Sequence, residues 1–261
     1  TGSLLIGHST TGVISSAENN TGVGIGALDA LTTGDSNVAI GNLAGSAITS
    51  AGSNMLIGRA AGDALTSGSY NTAIGHFALS AEDHHGGNVA VGHEALKVQN
   101  AGADAYNIAI GYHAGQSVTT GIQNVIVGGL AADALTTGGG NVALGDRALS
   151  AEDTGSYSVA VGYRALQQQD NNDNNYNIAV GADAGRSINS GIYNVVIGGL
   201  AGDALTSGTR NVAIGLNALG SEDTGSHNVA IGHGALKTAD AGADAYNVAI
   251  GSSAGTAVTT G

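Results

Sequence analysis

The chain has 261 residues, with 20 acidic against 7 basic side chains, a formal charge of −13, 45 Gly, one Phe and no Pro, Cys or Trp. Such acidity argues against nucleic acid, whose phosphates are neutralised by Lys and Arg, and against a polybasic contact with anionic lipid. Without Cys there is no disulfide framework or thiolate metal site, and no apolar run approaches the ~20 residues of a membrane span.

Taken in chain order, residues 1–36 read as irregular first coils, with degenerate repeats at Ser3 and Gly22, and residues 37–261 as a regular array. The array opens with Asn37-Val38-Ala39-Ile40-Gly41. That pentapeptide returns at Asn54, Asn71, Asn88, Asn107, Asn124, Asn141, Ser158, Asn177, Asn194, Asn211, Asn228 and Asn247. Spacings of 17, 17, 17 and 19 residues recur, so a 70-residue super-repeat of four coils lies above the basic unit. A fixed short period of this kind predicts an all-β fold, a parallel β-solenoid of about 15 coils of 17–19 residues.

With the opening Asn as position 1, position 5 is Gly and position 8 is Ala throughout the regular array. Alternation over positions 2 to 4 predicts a short strand with Val and Ile (positions 2 and 4) facing the core and Ala (position 3) facing out. On that reading Leu56, Ile126 and Val196, at position 3, are either pegs at an interchain contact or surface residues. Gly at position 5 marks a tight corner. The Asn residues are expected to form a ladder, their amides bonding to the coils above and below.

A compensation rule links positions 9 and 12. Where position 9 is Gly, as at Gly45, Gly62, Gly115, Gly185 and Gly202, position 12 is aliphatic: Ile48, Leu65, Val118, Ile188 and Leu205. Where position 9 is Leu, as at Leu79, Leu96, Leu149, Leu166, Leu219 and Leu236, position 12 is Glu82, Gln99, Glu152, Gln169, Glu222 or Ala239. Each coil therefore supplies one large apolar side chain to the same space, as close packing demands.

Repeats of the form Asn-Val-Ala-Ile-Gly-x-x-Ala, with a Gly-bearing turn before the next Asn, resemble the head repeats of trimeric autotransporter adhesins and the related repeats of bacteriophage tail fibres and secreted adhesive fibres. The resemblance implies a left-handed β-roll packed as a side-by-side homotrimer. It also implies an extracellular location, on a bacterial surface or a virion.

No nucleophile and base occur together, and every Gly belongs to the repeat, so no enzyme activity, cofactor or metal is expected. His76 and His93 share position 6 of adjacent coils, but the pair does not recur and reads as surface histidine. Glu82-Asp83, Glu152-Asp153 and Glu222-Asp223 read as solvated turns. The long turns of the 19-residue coils end in Tyr106, Tyr176 and Tyr246, and these form the candidate ligand-facing edge or else cap the next coil. The consecutive Thr pairs lie in turns, which makes ice binding a remote third reading.

The expected function is a structural or adhesive fibre segment that contacts a surface or host receptor. The alternatives are a head-to-tail filament, in which Gly261 meets Thr1 of the next copy, and a glycan-binding module. The chain begins at Thr1 without Met and is expected to be a mature product or a fragment.

Overall fold

The computed structural model describes residues 2–7, 16–242 and 244–259. The chain divides into two units, Thr1–Gly129 and Leu130–Gly261. Each is all-β and built from three-residue strands. In the first, β1 (Leu4–Ile6), β2 (Thr21–Val23), β3 (Val38–Ile40), β4 (Met55–Ile57), β5 (Thr72–Ile74), β6 (Val89–Val91), β7 (Ile108–Ile110) and β8 (Val125–Val127) follow one another. They pair in chain order, all parallel and in register: Val38 faces Met55, and Ala39 faces Leu56. The second unit holds β9 (Val142–Leu144), β10 (Val159–Val161), β11 (Ile178–Val180), β12 (Val195–Ile197), β13 (Val212–Ile214), β14 (Val229–Ile231) and β15 (Val248–Ile250), paired in the same way. Parallel neighbours joined by a single coil make each unit a parallel β-solenoid.

A three-residue strand cannot hold itself, so the bonds between coils carry the structure. Val38 N–H donates to Asn54 O at 2.8 Å and Gly41 N–H to Val23 O at 2.8 Å, and later coils repeat the pattern. Gly41 has φ of 136°, and a Cβ there would lie 2.4 Å from Gly58 O. Only glycine reaches this conformation and this approach. Left-handed residues at positions 7 and 9, such as Leu43 (φ 60°) and Gly45 (φ 55°), then fold the chain back so that position 8 lies over the strand.

The interior reverses the strand-face expectation. Position 3 is buried: Ala39, Ala73, Ala90, Ala109 and Ala143 are fully enclosed, together with position 8 and the large residue of position 9 or 12. Positions 2 and 4 face outward, with Ile40 and Ile110 each 40% exposed. Alternation separates two faces but does not say which is inside. Side-chain volume decides it, because the returning segment passes close over the strand and leaves room for Ala, or for a larger residue only beside a position-9 Gly.

Leu56, Ile126 and Val196 are accordingly core residues, neither pegs nor surface. They stand where neighbouring position-9 residues are Gly: a Cβ on Gly45 or Gly62 would meet Leu56 at 2.7 or 2.8 Å, and one on Gly115 would meet Ile126 at 2.9 Å. The compensation between positions 9 and 12 is seen directly, since Ile48, Leu65, Val118, Leu79, Leu96 and Leu149 are all fully buried.

Two further corrections concern register and burial. Thr21 pairs with Leu4 and with Val38, so the second coil opens at Asn20, not Gly22, and the 17-residue spacing extends back to Ser3. Glu82, Glu152 and Glu222 are fully buried and are not solvated turns. Of the filament expectation, Thr1 and Gly261 lie outside the described residues.

Candidate functional site

No pocket opens among the described residues, and no helix there is long and apolar enough to cross a membrane. The candidate sites are faces and edges of the coils.

The largest is the outward face of the strands. In the first unit, from β3 onward, Val38, Ile40, Met55, Ile57, Ile74, Val89, Val91, Ile108, Ile110, Val125 and Val127 stand in two parallel rows at strand spacing, interrupted there only by Thr72. The second unit repeats the rows from Val142 to Ile250. Lone exposed aliphatics are ordinary, but a continuous strip on the order of several hundred Å² marks an interaction surface. The strip carries no ionisable side chain, although the chain is strongly acidic.

The opposite end of each coil is a polar seam just beneath the surface. Asn Oδ1 accepts the backbone N–H of the next Asn: Asn37 from Asn54 at 3.1 Å, Asn54 from Asn71 at 2.8 Å, Asn71 from Asn88 at 3.1 Å, Asn88 from Asn107 at 3.1 Å and Asn107 from Asn124 at 2.8 Å. In the second unit Asn141 accepts from Ser158, and Asn177, Asn194, Asn211 and Asn228 continue the series to Asn247. Nδ2 mainly serves the turn of its own coil, as in Asn37 to Ala51 O and Asn211 to Gly225 O, at 2.8 and 2.9 Å. The amide thus clips the turn shut and presents one acceptor to the following coil. The Asn side chains are fully buried from Asn71 onward through Asn228 and carry the fold, out of a ligand's reach.

Glu152 lies in the same seam. Its Oε1 accepts Gly155 N–H at 2.6 Å, and its Oε2 accepts Gln169 Nε2 and Asn175 Nδ2 at 2.9 and 2.8 Å. Gln169 also donates to Ser158 and accepts from Asn177. Burial pushes the Glu152 and Glu82 carboxyls above their ordinary value, and these donors only partly offset it. Position 12 is therefore interior in every coil form, filled by Ile or Leu in one and by a hydrogen-bonded Glu or Gln in the other.

Tyr106, Tyr176 and Tyr246 occupy the position just before Asn, in left-handed conformation, and are exposed. The same position holds Tyr70, Tyr157, Tyr193, Arg210 and His227, a series marked in the sequence by the residue before each repeat-opening Asn or Ser and not confined to the long turns. Tyr176 stacks on Tyr157 at 5.3 Å and on Tyr193 at 5.6 Å, with planes within 10°, and Tyr246 stacks on His227 at 4.8 Å. The faces of Tyr176 are thus covered by its neighbours, and its edge points outward. Thr hydroxyls of the turns are also engaged: Thr32, Thr66 and Thr206 donate to the carbonyl of the next coil at 2.9–3.0 Å.

No protein-family model, curated protein or solved structure matches the chain.

Proposed function

We propose that the chain is a structural, adhesive segment of an extracellular fibre in which three copies lie side by side. Each buries its outward Val and Ile rows against the others, with the left-handed winding of the head repeats that the sequence resembles. The observation that carries this reading is the uncharged aliphatic strip along the strand faces. A second copy of the chain supplies a matching strip at the same spacing, so rows of Val and Ile meet in register. The stacking of Tyr176 between Tyr157 and Tyr193 favours the fibre over a glycan module, because both faces of that ring are already occupied.

Sedimentation equilibrium tests the assembly: the particle should weigh three times the 25.2 kDa chain. Ile108→Asp with Ile110→Asp places charge on the outward face without entering the interior. It should give single chains with an unchanged far-UV spectrum. A wild-type chain that stays monomeric at high concentration removes the trimer. Excising residues 107–176, one super-repeat, separates spacer from ligand array: a spacer keeps its adhesion, whereas an array loses avidity with each lost site.

A further inference from the structure

Positions 6 and 7, just past the glycine corner, project outward from successive coils. In the coils opening at Asn71, Asn88 and Asn107 they carry His76, His93 with Glu94, and Tyr112 with His113. Glu94 N–H donates to His76 O at 2.9 Å and His113 N–H to His93 O at 3.0 Å, so the three coils are locked at this corner. The glycines beneath are packed to the limit: a Cβ on Gly75 would meet Gly92 O at 2.2 Å, and one on Gly92 would meet Gly111 O at 2.1 Å. Side chains here are held in register by the backbone.

Three potential ligands converge, and a fourth, His76, stands beside one of them. His93, Glu94 and His113 each place a ligand atom within 4.8 Å of the others. His113 Nε2 lies 3.6 Å from Glu94 Oε2, and His76 Nδ1 lies 3.2 Å from His93 Nε2. At metal–ligand bonds of about 2.0–2.2 Å, two ligands of one tetrahedral ion stand roughly 3.3–3.5 Å apart, so both separations need only small side-chain rotations. We propose that His76, His93, Glu94 and His113 form a surface site for one divalent transition-metal ion, of the zinc, nickel or copper class that three imidazoles and a carboxylate select.

The corresponding corner of the next super-repeat supports the assignment by contrast. There position 7 holds Arg164 and Asp183, closed directly by bonds of 2.8 and 3.0 Å. An ion pair is thus the structural solution at this corner, and it brings its groups into contact. Glu94 and His113 stand further apart, flanked by two more imidazoles. Arg59 can only donate to His76 Nε2, at 2.8 Å, so His76 carries its proton on Nδ1 and gives it to His93. Metal entry moves that proton from Nδ1 to Nε2 of His76 and displaces Arg59. Lys97, 3.0 Å from Glu94 Oε1, is the competing cation, and Gln116 also donates to Glu94.

Zinc titration calorimetry on the full chain tests the site. One ion should bind per chain, and His93→Gln or His113→Gln should weaken it by at least ~10-fold, the loss that even an outer-shell partner's removal causes. Lys97→Ala should tighten binding by relieving the competition. Cobalt substitution should give the intense visible absorption of a four-coordinate ion in the wild type and lose it in Glu94→Gln. All four side chains are outside the core, and far-UV spectra confirm that each variant is folded. Zinc bound equally well by the His93 and His113 variants but lost on His85→Ala would place it at the Glu82–Asp83–His85 turn and overturn the proposal. So would the absence of binding, or a looser complex with Lys97→Ala.

Discussion

Gly92→Ala and Gly102→Ala compare two glycines of one coil that both have positive φ. At Gly92, φ is 140° and the new Cβ would lie 2.1 Å from Gly111 O. Since an ordinary carbon–oxygen contact is about 3.3 Å or more, the coils must part by roughly 1 Å. That motion stretches the bonds Gly111 N–H to Val91 O and His113 N–H to His93 O, now 2.8 and 3.0 Å. Backbone strain in a region reserved for glycine costs about 1–3 kcal/mol, and two weakened hydrogen bonds add about 1 kcal/mol each. The expected loss is therefore about 3–5 kcal/mol. Gly102 has φ of 71° with nothing within 4 Å of a new Cβ, so Ala there costs only the left-handed penalty of about 1–2 kcal/mol. Urea unfolding followed by circular dichroism measures both, with amide exchange at Gly111 and His113 locating the loss. If the two variants prove equally stable, close approach at the corner is not what demands glycine.

Asn211→Ala should cost about 2–4 kcal/mol, because it strands Asn228 N–H and Gly225 O, two buried groups that lose their partner; thermal unfolding of the variant measures this. Leu149→Ala should cost about 2–5 kcal/mol through the cavity it leaves, while Ala143→Leu, on the strand face first expected to point outward, should also destabilise, by about 1–3 kcal/mol through overpacking. The carboxyls of Glu82 and Glu152, raised by burial above 4.5, stabilise the fold fully below pH 4.5 and lose that contribution as pH rises through their folded values. Asp83 and Glu94, held down by His84 and Lys97, act in the opposite sense and lose theirs as pH falls below about 4. Melting temperature should therefore fall between pH 4.5 and neutrality, and Glu152→Gln should flatten that slope.

The period, the strand positions and the glycine corner were legible because each imposes a residue type at a fixed place. The orientation of the strand was not. Val38 and Ile40 look like core residues by hydrophobicity, yet the enclosed position is that of Ala39. The compensation rule held the missing information: Leu79 and Ile48 fill one space, so position 12 points inward, and Glu82 at that position has to be buried. Reading it as a turn acid followed residue type over geometry. The metal-ligand cluster escaped because His113 and Glu94 sit at position 7, beside the position-6 histidines. The repeat already puts His76, His93 and His113 in three consecutive coils, and the coil-to-coil backbone bonds hold them at one corner.

The direction of the backbone bonds has a mechanical consequence. They run from coil to coil, so tension applied along that direction opens them one coil at a time, as a zip opens, instead of loading many in shear. Each rupture frees 17 or 19 residues, a contour gain of about 60 Å at the extension limit of the chain. A single strand of this material is thus compliant under pull. Tensile strength would come from lateral neighbours whose apolar rows bridge several layers together.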